Sequence, residues 1–204
     1  MHEYNQKEDI LRVPVEIKAG VTYPKTFIGQ WMINTDLCDD LVHAFKNTTQ
    51  TVTLDSFRGY FRLSNRRLDD SLNLRYMEAI ESVIELYIKK FPWCKRQQED
   101  WGVTQPYNLQ MYEPGEAYSN EHIENGGPSK GKFIRHLVFT TYLNDVKKGG
   151  QTVFEQQDIS VRPKKGLTVI FPAGWMHPHY GRPAKSEEKY IATGWCSYKN
   201  RVEP

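Results

Sequence analysis

The stretch KFIRHLVFTTYLN, residues 132–144, is dense in β-branched and aromatic side chains and stops at Asn144-Asp145, so it predicts a strand. Working outward, shorter runs of the same kind recur: YNLQMYE (107–113), QTVFEQ (151–156), LTVIFP (167–172) and KYIATGWCSY (189–198), separated by Gly, Pro, Asn and Asp. Several short strands punctuated by turn residues predict an all-β sandwich or jelly roll after Pro106.

Before about residue 95 the readable signal is helical. In DLCDDLVHAF (36–45), Leu37, Cys38, Leu41, Val42 and Phe45 share one face, with Thr35 or Asp36 placed to cap it. In SLNLRYMEAIESVIELYIKKF (71–91), Leu72, Met77, Ile80, Val83, Ile84, Tyr87, Ile88 and Phe91 recur at spacings of three and four behind an Asp69-Asp70-Ser71 cap. A stripe that wide suits packing on a sheet. The expectation is therefore a mainly β, α+β protein. One domain spans 1–204, with a helix-rich support region over 1–95 and a jelly-roll core (double-stranded β-helix) over 96–204.

At 204 residues the chain can bury a sizeable core. A net charge of +2 lacks the concentrated cations of a nucleic-acid footprint, so a nucleic-acid partner is not expected. Three cysteines (Cys38, Cys94, Cys196) are odd in number and far apart, which fits a reducing cytosol better than a disulfide framework. The N-terminal residues show no basic segment followed by an apolar one, and no apolar run is long enough to span a bilayer; a cytoplasmic protein with no membrane partner is expected.

The chemistry starts at YSNEHIENGG (118–127). In an extended segment His122 and Glu124 project from one face, and imidazole plus carboxylate suits a borderline divalent ion that a third ligand would complete. His177 and His179 follow the apolar run LTVIFP, where a rigid scaffold can present a ligand; both share a face if extended. Lys189, with Tyr112 and Tyr142 on strands, forms a set able to hold a dicarboxylate, an ammonium pairing with the charge and phenols donating to it. His136 shares strand parity with Tyr142, which would point it toward the same region, but a lone histidine in a strand is more often packed and hydrogen-bonded. The basic clusters read as solvated surface, and Trp175 and Trp195 as packing around the pocket.

These elements resemble the iron(II)- and 2-oxoglutarate-dependent oxygenases, specifically their prolyl 4-hydroxylase-like branch. The matches run in the family's order: YEPGEAY, HIE, TYLND, GGQTVF, PKKGLTVIFP, HYGRP and TGW, over about residues 107–196. The resemblance implies His122, Glu124 and His179 as iron ligands, His179 being preferred over His177 by its His-x-Gly-x-Pro context and its spacing to Lys189. It further implies Lys189, Tyr142, Tyr112 and Thr152 around 2-oxoglutarate, with His177, His136 and Trp195 supporting the ligands or meeting substrate. Fe(II), 2-oxoglutarate, O2 and ascorbate as reductant are the implied cofactors. The implied reaction hydroxylates an unactivated C–H bond of a peptidyl residue such as proline, or of a small molecule, and yields succinate and CO2. Most relatives carry aspartate where this chain has Glu124, and many have one fewer residue between Tyr118 and His122. A non-catalytic jelly roll and a zinc hydrolase are the rival readings; the absence of a helical H-E-x-x-H spacing argues against the latter.

Overall fold

The computed structural model describes residues 26–48, 53–55, 60–96, 100–125 and 134–199. Gly126 and Gly127, and the first two residues of the 132–144 stretch, lie outside them. In chain order the elements are β1 (Gly29–Met32), α1 (Thr35–Asn47), β2 (Thr53–Asp55), β3 (Tyr60–Ser64), α2 (Asp70–Lys90), β4 (Trp101–Gly102), β5 (Asn108–Tyr112), β6 (Arg135–Tyr142), β7 (Thr152–Phe154), β8 (Ile159–Val161), β9 (Leu167–Pro172), β10 (Tyr180–Gly181) and β11 (Lys189–Tyr198). Every strand pairing is antiparallel. The large sheet runs β1-β9-β6-β11-β5-β3-β2 with β4 also on β11, and a small sheet runs β10-β7-β8. This is the jelly roll expected from the strand pattern.

The helical texture of the first 95 residues conceals β1, β2 and β3, which extend the large sheet at both of its ends. GQWM and TLD are too short to show a period, so pairing with a neighbour decides their conformation. The first helix is capped by Asn34, whose side chain accepts from the Asp36 amide at 2.8 Å. Thr35, one of the expected caps, is already the first helical residue. Asp69 caps α2 as expected, accepting from Ser71 and Leu72.

On one face of the large sheet α2 buries Tyr76, Ile80, Val83, Ile84 and Tyr87 against Leu109, Leu137, Phe139 and Ile170. Each such side chain contributes about 1.5–3 kcal/mol. Tyr76 and Tyr87, the polar members among these five, donate to Thr141 Oγ1 and Phe27 O, each at 2.9 Å, and so leave no orphan hydroxyl of their own. Gly194 lets β11 approach this layer, since a Cβ there would sit 2.3 Å from Phe139 Cζ. The opposite face packs a second core on the small sheet, with Val138, Tyr142, Val169 and Phe171 against Phe154 and Val161. Between these two sheets lies the cavity that carries the chemistry.

Candidate metal centre

The irregular segment before β6 is fastened to the segment leading into β10 by a reciprocal backbone pair, His122 N to His179 O (3.0 Å) and His179 N to His122 O (2.9 Å). That bridge places the imidazoles 4.4 Å apart, centroid to centroid. Each ring is also set by its Nδ1–H, which donates to a carbonyl: Asn120 O for His122 (2.9 Å) and His177 O for His179 (3.0 Å). A carbonyl can only accept, so both rings are fixed in the tautomer that leaves Nε2 with a lone pair. Phe154 and Phe171 wall His179, and Tyr118 meets the edge of His122.

Glu124 completes the group. Its Oε1 is 3.6 Å from His122 Nε2 and 3.9 Å from His179 Nε2, and ligand atoms from the three residues all lie within 4.8 Å of one another. Two imidazole nitrogens and a carboxylate oxygen are a donor set that fits a divalent first-row ion and leaves coordination positions open. Burial works against the charge on Glu124, but pairing with His122 and the nearby His179 and Arg135 outweigh it and hold its pKa down at about 2. Burial, with repulsion from His122, lowers His179 to about 4. At neutral pH the site therefore presents an ionised carboxylate and an unprotonated His179.

The same cavity, about 710 Å³, is lined on one side by Lys189, Tyr112 and Thr152 and on another by Trp195, Asn108 and Arg62. Lys189 is only 5% exposed, its Nζ lying 5.4 Å from the Tyr112 ring centre and 5.7 Å from that of Tyr142, with no carboxylate partner among the described residues. Burial lowers its pKa to about 8. A buried cation lacking a counter-ion fits the far carboxylate of a dicarboxylic acid. Tyr142 donates to Thr152 Oγ1 at 2.6 Å, so the Thr152 proton is available to a ligand in the cavity; Tyr112 donates to Gln110 at 2.8 Å.

The remaining sequence candidates sit differently. His177 is buried away from the cavity with Nε2 hydrogen-bonded to Thr26 O at 2.8 Å, and Trp175 is 78% exposed instead of packed around the pocket. His136 also faces away, bonded to Cys94 O and Tyr198 and packed against the tilted ring of Trp101. The reason is a β-bulge: Cys196 pairs Leu137 but Ser197 pairs Arg135, so His136 is the extra residue on β6 and side-chain parity inverts there. Arg135 takes the cavity face in its place, donating to Glu124 Oε2 at 2.6 Å, and Trp195 Nε1 donates to the same oxygen at 2.9 Å. Strict alternation assigns Arg135 to the wrong face, and nothing in the local sequence marks the bulge.

The fold and this site together give a jelly roll whose cavity holds a His-Glu-His group able to take one metal ion, with a buried cation beside it. Comparison with known proteins is specific. Residues 107–197 match the family model of the 2OG-Fe(II) oxygenase superfamily. A probable prolyl 4-hydroxylase from Arabidopsis thaliana (number 7) is 24% identical over 87% of this chain, which spans 64% of that relative's length. The viral collagen prolyl hydroxylase of Paramecium Bursaria Chlorella virus-1, in its 2OG complex, superposes with a TM-score of 0.66 at 18% identity, covering 86% of this chain and 98% of the other. A Pseudomonas putida prolyl-4-hydroxylase gives 0.63 at 18%, covering 87% and 94%. Over residues 107–197 the chain thus matches the 2OG-Fe(II) oxygenase superfamily, and the relatives it resembles are named prolyl 4-hydroxylases.

Proposed function

We propose that this protein is an Fe(II)- and 2-oxoglutarate-dependent dioxygenase that hydroxylates a peptidyl residue such as proline. The observation that carries the reading is the convergence of His122, Glu124 and His179 in one cavity with a buried Lys189 that lacks a counter-ion among the described residues. The first three would hold iron, and Lys189, with Tyr142, Thr152 and Tyr112 beside it, would take the far carboxylate of 2-oxoglutarate. When bound, iron with 2-oxoglutarate and O2 supplies the oxidising chemistry: one oxygen atom enters the C–H bond as hydroxyl, the other enters succinate, and CO2 leaves.

The protein's part is geometric and electrostatic. Nδ1 contacts hold the imidazoles with Nε2 inward, the aromatic wall of Phe154 and Phe171 limits water around His179, and Lys189 orients the cosubstrate by charge. A peptide substrate is supported by the names of the relatives and by a cavity that continues past Trp195 to polar groups at Asn108, Gln105 and Arg62. We also propose a reducing, cytosolic location, on the strength of three free thiols. The test is incubation with Fe(II), ascorbate, 2-oxoglutarate and pools of proline-containing peptides, following succinate release and the gain of one oxygen by mass. Succinate formed without any oxygenated peptide would retain the reaction class and remove the peptide substrate; no succinate under any condition would remove both.

A further inference from the structure

We propose that Arg135 and Trp195 are positioning residues that make Glu124 a one-oxygen ligand. The inference rests on the metal role proposed above for His122, Glu124 and His179. Glu124 divides its two oxygens between separate tasks. Oε2 accepts from Arg135 Nη1 at 2.6 Å and from Trp195 Nε1 at 2.9 Å, while Oε1 faces both imidazole Nε2 atoms. Arg135 Nη1 also donates to the Glu124 backbone carbonyl at 3.2 Å, so one guanidinium fixes both ends of the side chain. The guanidinium carbon in turn lies 3.7 Å from the Trp195 ring centre, which stacks the two donors and restrains their rotation.

The arrangement accounts for a carboxylate one methylene longer than the aspartate usual at this position. A shorter arm withdraws the carboxyl by ~1.5 Å, a C–C bond length, and could not meet the imidazole pair and the Arg135–Trp195 pair together. The bulge at His136 is what delivers Arg135 to this face, so clamp and bulge form one device. With Oε2 occupied by a cation and an indole N–H, a chelating, two-oxygen mode is disfavoured and the remaining positions on the metal stay open to ligands.

The test is Co(II) titration of the full chain, read by metal affinity without turnover, together with melting of the metal-free protein. Arg135→Ala should weaken Co(II) about 10- to 100-fold, and Trp195→Phe about tenfold or less. In a Glu124→Asp background, where the carboxylate has left the clamp, the further loss from either change should shrink to about twofold or less. A merely structural role would lower melting and leave the factor equal in both backgrounds, which overturns the proposal. Wild-type Co(II) affinity in both Arg135→Ala and Trp195→Phe also overturns it. If Arg135→Ala does not fold, Trp195→Phe decides by the same pair of backgrounds. Wild-type Co(II) affinity in Glu124→Ala would mean that the metal assignment itself has failed and the clamp with it, whereas loss in Glu124→Ala alone rejects only the clamp.

Discussion

The two faces of the large sheet bury layers of different size and treat charge differently. On the helix side Tyr76 donates to Thr141, whose oxygen is also 2.8 Å from that of Thr168, and the Tyr107 hydroxyl is buried without a partner among the described residues. On the cavity side Lys189 is buried without a counter-ion among the described residues and two imidazoles turn bare Nε2 atoms toward one carboxylate oxygen. The orphan of the first face is a neutral hydroxyl inside packed aromatic rings. The second face stores desolvation cost that a cation and an anion from solution would relieve, which is how a binding site differs from a core built on the same strands.

Substitutions can break this contrast. The largest effect belongs to His179→Ala, which should abolish succinate release while shifting the melting temperature little; His177→Ala, whose ring points to Thr26, should retain measurable turnover. Lys189→Ala should raise the 2-oxoglutarate requirement by an amount equivalent to about 2–5 kcal/mol with iron affinity nearly unchanged. If the dependence on 2-oxoglutarate did not move, the anion pocket would lie elsewhere. On the other face, Ile80→Ala should cost about 2–5 kcal/mol of unfolding free energy in urea and leave Co(II) affinity of the folded fraction at the wild-type value. An altered affinity would mean that the faces are coupled.

A smaller effect follows from pH. The Lys189 pKa is lowered in the folded, ligand-free protein to about 8, so between about pH 8 and the ordinary lysine value the unfolded chain binds more protons than the native one. Stability of the empty protein should therefore gain from this residue as pH rises through that window. Binding of 2-oxoglutarate, which needs the ammonium form, should weaken over the same window. Thermal shifts on adding 2-oxoglutarate should be larger at pH 7 than at pH 9.5, and Lys189→Met should erase the difference.

Five of the seven described strands after Pro106, the two helices and the candidate ligands were legible because each depends on local pattern: alternation, a 3.6-residue stripe, or short motifs around His122 and His179; the short β8 and β10 were not. What stayed hidden depends on pairing between distant segments. The strand at Gly29–Met32 exists because it lies against Leu167–Ile170. His136 turns outward and Arg135 inward because of one unpaired residue opposite Cys196–Ser197. Asn34 displaces the expected cap by a single position, a boundary that propensity alone resolves poorly.

The reciprocal backbone pair between His122 and His179 gives the site its own clock. Those two amide hydrogens exchange with solvent only when the bridge opens, and opening it would pull apart two of the three groups proposed to hold the metal. Bound metal should then slow their exchange by the factor 1 + [M]/Kd, as for any ligand held only by the closed form. Deuterium uptake at residues 122 and 179 would thus report occupancy in a protein that is turning nothing over, and do so even before a substrate has been found.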